Sequence, residues 1–154
     1  MAQATGLLLE GKPIIEIAIA DALPNPRSVE PSLDVKPMPL RHYRALIDTG
    51  ADITCLCDRV VREGKLAPSG MIQMTGGNGP SLHRTFVVQI GIWCAEPADF
   101  EGDDQVTKTL FQLEGLEAAE IRDNQWFDVI IGTDVLIHHD FHLKRGGEFI
   151  LTVG

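Results

Sequence analysis

The sequence is poor in the features that would place it in several large classes of protein. Its three cysteines, Cys55, Cys57 and Cys94, are an odd number with no C-x-x-C spacing, so neither a disulfide framework nor a zinc knuckle is indicated, and a reducing compartment fits best. No stretch approaches the roughly 20 consecutive apolar residues that a membrane-spanning helix needs. The N-terminal Met1-Ala2-Gln3-Ala4-Thr5-Gly6 has no basic region, and Leu7-Leu8-Leu9 is too short for a signal peptide, so a cytoplasmic location is expected. Basic residues are scarce as well: 13 Lys and Arg face 22 Asp and Glu, a net charge of −9 with no basic cluster, which argues against nucleic acid and against an anionic membrane as partners. The carboxylates are densest at Glu96, Asp99, Glu101, Asp103 and Asp104, without the spacing or glycine of an EF-hand, and read as a solvated loop.

What remains is ordinary globular material. At 154 residues, with 44% hydrophobic and 23% charged residues, the chain has the size and composition of one domain spanning 1–154. Short apolar or alternating runs predict strands at Pro13 to Ala20, Tyr43 to Ile47, Thr85 to Trp93, Lys108 to Leu113, Phe127 to Ile131 and Glu148 to Val153. Helical patterns are few: Asp58 to Glu63, Leu116 to Arg122 more weakly, and Thr133 to His139. Asp21 to His42 contains Pro24, Pro26, Pro31, Pro37 and Pro39, so it reads as an extended surface loop inserted at 21–42. The fold class expected is all-β with one or two short helices.

Three segments carry chemistry. Ala45-Leu46-Ile47 leads into Asp48-Thr49-Gly50, which places a carboxylate on a turn leaving a buried strand, and Ala51-Asp52-Ile53-Thr54 follows. The chain has no second Asp-Thr-Gly or Asp-Ser-Gly. Thr75-Gly76-Gly77-Asn78-Gly79-Pro80 reads as a glycine-rich hairpin, which could be a plain turn or a lid over an extended peptide; without a following Gly-Lys-Ser/Thr it is not a phosphate loop. Phe127 to Leu136 is an apolar strand running through Gly132 into a short helix. Two further groups are weaker. His138-His139-Asp140-Phe141-His142 matches no zinc spacing and reads as a surface patch, and Cys55 and Cys57 alternate so that one of them is expected to face the core.

Taken in order, the strand Pro13 to Ile19, Ala45 to Asp52, the glycine hairpin and Ile130-Ile131-Gly132-x-Asp134-x-Leu136 resemble the retropepsin-like aspartic proteases, over about residues 12 to 153. The resemblance implies a single-lobed, closed β-barrel of the acid-protease fold, a homodimer, and hydrolysis of peptide or protein substrates with no metal or organic cofactor. It implies Asp48 as the catalytic aspartate, Thr49 as the lock between two active-site turns, and Gly50 as a backbone contact. Ala51, Asp52, Gly76, Gly77 and Asn78 become substrate-binding positions, the last three at the tip of a flap. Two Asp48 carboxylates, one from each copy, would share one proton and activate a water between them. Two departures stand out: Thr133 replaces the arginine that in viral members pairs with the aspartate equivalent to Asp52, and the proline-rich insertion is absent from the compact viral enzymes. The alternative is the same fold used as a peptide-binding or dimerisation module with little turnover.

Overall fold

A computed structural model describes residues 1–21, 31–32, 42–96 and 109–154. Nearly all of the proline-rich insertion, and Asp99, Glu101, Asp103 and Asp104 of the acidic cluster, lie outside the described residues.

The chain runs β1 (Gln3–Leu7), β2 (Ile14–Asp21), β3 (Pro31–Ser32), β4 (Tyr43–Ile47), β5 (Cys55–Cys57), α1 (Asp58–Gly64), β6 (Pro68–Gly76), β7 (Gly79–Cys94), β8 (Thr109–Ile121), β9 (Val129–Ile131), α2 (Thr133–Leu136), β10 (Asp140–Leu143) and β11 (Glu148–Thr152). Alternation decides which face of each strand turns inward. In β2, Ile15, Ile17 and Ile19 are buried, and in β4 Tyr43, Ala45 and Ile47 are buried while Arg44 is exposed. Neither helix is long: α1 has seven residues and α2 four, and no helix among the described residues is long and apolar enough to cross a membrane.

Strand pairing closes on itself. The order β8-β5-β9-β4-β2-β7 is completed by pairing of β7 with β8, giving a six-stranded ring with β3 on β8 and β6 on β7 as outliers. The ring is mixed, because β4 runs parallel to β9 and β5 parallel to β8. Closure removes sheet edges from the ring and encloses one core that includes Ile17, Leu56, Phe86, Ile90, Phe111, Leu113 and Ile131. A separate antiparallel sheet, in the order β1-β11-β10, lies alongside and contributes Ala4, Phe149 and Leu151 to the same core.

Six expected strands and two of the three helices are present, with shifted bounds. Leu116 to Arg122 is a correction. Leu116 to Ile121 belongs to β8, where β7 and then β5 pair with it on either side, and that long-range pairing overrides the helix preference of Leu116-Glu117-Ala118-Ala119-Glu120. The cysteines are a second correction: Cys55 and Cys57 are both buried, because β5 is enclosed between β8 and β9 and the Cys57 thiol points at the 124–127 loop, donating to the Phe127 carbonyl. His139, expected on a surface patch, is half-buried with its ring edge against Phe111, centroids 4.8 Å apart.

Burial, followed by the neighbouring His138, pushes the His139 imidazole down from 6.5 to about 4. The folded state therefore holds His139 neutral at pH values where the unfolded chain protonates it, so stability is full above about pH 6.5 and declines as the pH falls toward 4. Urea midpoints measured across that window should fall with acidification in the wild type and fall less in His139→Phe.

Candidate functional site

Strand β4 is flanked by β2 and β9 and ends in the Asp48 turn. The Asp48 N–H donates to the Ile131 carbonyl at 3.0 Å, which carries the β4–β9 ladder one residue past the strand. Two bonds then shape the turn: the Ala51 N–H donates to the Asp48 carbonyl (3.2 Å) and the Gly50 N–H to Asp48 Oδ1 (2.9 Å). One carboxylate oxygen is thus fixed by its own loop. Asp48 is half-buried, whereas Thr49, Gly50 and Asp52 are exposed and Ala51 is intermediate. The inner side of the turn rests on the barrel and its outer side is open.

The support beneath is a hydrogen-bond knot. Thr54 is fully buried; its N–H donates to Asp134 Oδ2 (2.9 Å) and its hydroxyl to Asp134 Oδ1 (2.7 Å). The same hydroxyl accepts the Gly132 N–H at 3.1 Å, and the Thr133 N–H donates to the Ala51 carbonyl at 2.8 Å. Asp134 Oδ1 also accepts the Val135 N–H in the first turn of α2. These bonds staple the 48–54 loop to the start of α2. The approach is close enough that a Cβ on Gly132 would lie 2.8 Å from the Ile53 carbonyl carbon and 2.9 Å from the Ala51 oxygen, both main-chain atoms.

Neither Thr54 nor Asp134 stood out as a site residue in the sequence. The signal available was a hydroxyl four residues past Gly50 and a carboxylate two past Gly132, both at the ends of matched apolar strands. Thr133, which occupies the arginine position of the viral pattern, bonds the loop through its backbone instead. Asp52 is exposed and makes no ion pair among the described residues.

Gly76, Gly77 and Asn78 come together elsewhere, at the tip of the β6–β7 hairpin. Gly76 faces Gly79 across a two-residue turn, and Gly79 adopts φ +93, a conformation that favours glycine. All three tip residues are exposed, and no hydrogen bond among the described residues joins them to the Asp48 turn. Where the hairpin meets the barrel, Arg84 bonds both oxygens of Glu120 at 2.6 and 2.8 Å and holds that carboxyl below its ordinary range. Beside the hairpin lies an open cavity of about 570 Å³ lined by Asn78, Leu82, His83, Glu120 and Arg122 among others. Asp48 is not on its wall. The residues named from the sequence thus fall in two places, the turn 48–52 after β4 and the tip 76–78 of the β6–β7 hairpin.

Behind the turn, burial and then the charges of Asp134, Cys57 and Asp48 push the Cys55 thiol up to about 12, and burial raises Cys57 to about 11. Such thiols are poor nucleophiles at neutral pH. Among the described residues no group of three or more His, Cys, Asp or Glu side chains could hold a metal ion. The chemistry available at the turn is that of an oriented carboxylate.

Thr54→Val keeps the shape and removes the hydroxyl, leaving the Gly132 N–H without its acceptor and Asp134 one donor short. The expected cost is about 1–3 kcal/mol in denaturant unfolding. Gly132→Ala drives a methyl into main-chain atoms that cannot rotate away, and should lower the unfolding midpoint more than Thr54→Val does.

No protein-family model matches the sequence, and no curated protein matches it. Among solved structures, the chain is similar to a retropepsin-like aspartic protease from Rickettsia conorii, with a TM-score of 0.51 and 11% identity over 98% of this chain and 91% of that one. At that identity the likeness concerns the course of the backbone. With the closed six-stranded ring, the two short helices and the strand-turn-strand arrangement around Asp48, it establishes that this chain has the retropepsin-like aspartic protease fold.

Proposed function

We propose that the protein is a homodimeric aspartic endopeptidase in which Asp48 from each of two copies forms the catalytic pair. The observation that carries this reading is the asymmetry of the Asp48 turn. Its inner side is fixed by the Ile131 carbonyl and by the Thr54–Asp134 knot, while Thr49 and Gly50 on its outer side are exposed. A carboxylate oriented this firmly on an open face is suited to meet an identical one across a twofold axis.

The chemistry follows from the pair. Two carboxylates within hydrogen-bonding distance hold one proton between them, because both cannot ionise cheaply in a partly desolvated site. The ionised member takes a proton from a water lodged between them, the water oxygen attacks the scissile carbonyl carbon, and the protonated member donates a hydrogen bond to the developing oxyanion. Collapse of the tetrahedral intermediate breaks the C–N bond as a proton passes to the leaving amine. The Gly50 N–H is committed to Asp48 Oδ1, so it maintains the carboxylate's orientation throughout. In this reading Thr49 joins the two turns, and Ala51 and Asp52 line the path of the substrate backbone. Gly76, Gly77 and Asn78 close over it from the hairpin, offering main-chain groups to an extended peptide.

Asp48→Asn should lower the cleavage of unstructured peptides by on the order of 10²–10⁴-fold while leaving the unfolding transition in place. A mixing experiment adds the stoichiometry. Excess Asp48→Asn protein titrated into wild type should suppress the remaining activity through mixed dimers. Cleavage that persists in Asp48→Asn, or activity that ignores added variant, refutes the shared pair.

A further inference from the structure

We propose that Ser81 is a second reactive centre of this chain, a nucleophile activated by His83 that accepts the acyl group of an ester held in the crevice beside the hairpin. Its chemistry does not depend on the pairing of two Asp48 residues.

The crevice forms where the hairpin leaves the barrel. Toward the tip the β7–β8 ladder ends at Thr85 and Ala119, so Ser81 to Arg84 run past the end of that pairing while β8 continues to Ile121. The open cavity of about 570 Å³ lies there, with Ser81, His83 and Glu120 all on its wall. Alternation puts Ser81 and His83 on one face of β7, across from Met74 and Ile72 of β6. Ser81 is exposed and His83 half-buried, so the hydroxyl is within reach of a ligand and the ring behind it is held.

Two hydrogen bonds fix the tautomer of the ring. His83 Nδ1 lies 2.6 Å from the Glu120 carbonyl oxygen, and Nε2 lies 2.6 Å from Ser81 Oγ. A carbonyl only accepts, so Nδ1 carries the proton, and in the neutral imidazole Nε2 is left as an acceptor. The Ser81 hydroxyl therefore donates to Nε2. A hydroxyl, a neutral imidazole and an acceptor behind the ring make up the relay that activates a nucleophile, here with a main-chain carbonyl in the third position. That carbonyl is well anchored. Leu56 of β5 pairs with Glu120, and Arg84 holds both oxygens of the Glu120 carboxylate at 2.6 and 2.8 Å. A serine and a histidine that only braced the hairpin would need neither the third bond nor a cavity in front of the hydroxyl.

The rest of the wall suits an ester. Met71 and Leu82, 61% and 70% exposed, offer apolar surface to an acyl chain together with Ile121. Arg122 is exposed, makes no ion pair among the described residues, and brings a positive charge to the same wall for a developing oxyanion. In the first step Ser81 Oγ bonds to the ester carbonyl carbon as its proton passes to Nε2. Collapse breaks the bond to the alkoxy or aryloxy oxygen, which takes the proton from Nε2 and leaves as an alcohol or phenol. In the second step a water gives a proton to Nε2 and attacks the acyl carbon, the Oγ–C bond breaks, and Oγ recovers the proton as a carboxylic acid departs. Neither step oxidises or reduces anything.

Incubation of the full chain with p-nitrophenyl acetate, quenched at intervals and mapped by peptide mass spectrometry, tests this. In the wild type, Ser81 should take up acetyl with a stoichiometric burst of p-nitrophenol, and about 10²-fold faster than Ser69, an exposed serine of the same hairpin whose hydroxyl meets Thr85 rather than a histidine. His83→Gln should slow labelling of Ser81 by a similar factor, and Ser81→Ala should abolish the burst. Acetylation of the exposed Lys65 and Lys144 needs no histidine and should proceed equally in all three proteins, which makes it the internal reference. The comparison of Ser81 with Ser69 is made within the wild type, so it decides the matter even where a variant fails to fold. Acetyl confined to lysines and the N-terminus, Ser81 labelled no faster than Ser69, or Ser81 labelled equally fast in folded His83→Gln overturns the proposal.

Discussion

The buried bonding between Thr54 and Asp134 is the constraint on which the rest of the molecule depends. A barrel ring that mixes parallel and antiparallel neighbours must bring strands together from distant parts of the chain, and here β9 slides between β4 and β5. The loop from β4 to β5 therefore has to pass across the end of β9. A loop packed there would strand main-chain donors away from water, at a cost of about 1–3 kcal/mol for each one left unpaired. Asp134 resolves this by accepting three bonds, from the Thr54 N–H, the Thr54 hydroxyl and the Val135 N–H, and Thr54 passes the satisfaction on by accepting from Gly132. A carboxylate is an acceptor in all its lone-pair directions, so it suits a point on which only donors converge.

The Asp48 turn inherits its geometry from this arrangement. Its position follows from the parallel register of β4 on β9, and its direction from the Ala51 carbonyl, held by the Thr133 N–H. A second clamp acts nearby. Arg59 of α1 bonds Asp128 and the carbonyls of Asn124 and Phe127, and Asp128 in turn accepts the Arg44 N–H of β4. The segment entering β9 and the strand leading to Asp48 are thus tied through one side chain. Rigid support on one side and exposure on the other is the pattern expected of a binding or reacting surface held by a stable scaffold.

Local signals were legible where the chemistry is local. Ala45 to Asp52 showed itself because a β-strand, a carboxylate and a glycine turn are contiguous, and Ile130 to Leu136 for the same reason. The glycine hairpin was visible from composition alone. Leu116 to Arg122 misled, since its residues favour a helix in isolation and the competing partners β5 and β7 lie far away in sequence. β1 and β10 gave little sign: Gln3 to Leu7 carries small residues on its inner face, and β10, Asp140-Phe141-His142-Leu143, alternates but is only four residues long. Thr54 is the clearest case of information that exists only in three dimensions. A threonine beside an isoleucine is unremarkable until Asp134, 80 residues on, is folded against it.

The glycine-tipped hairpin is the free end of the barrel's longest described strand. β7 is 16 residues long, exposed around its tip and fully buried at Phe86, Val88, Ile90 and Ile92, where β2 and β8 grip it from both sides. Mechanically its free part, Gly79 to Arg84, is a cantilever of roughly 20 Å whose root is held from Thr85 onward. Displacement of the tip cannot be absorbed by a slack joint, because no break in the strand separates tip from root. It bends the beam, and the bending moment is greatest at the clamp, where the guanidinium of Arg84 grips Glu120. That ion pair braces the hairpin at its root, well away from its glycines.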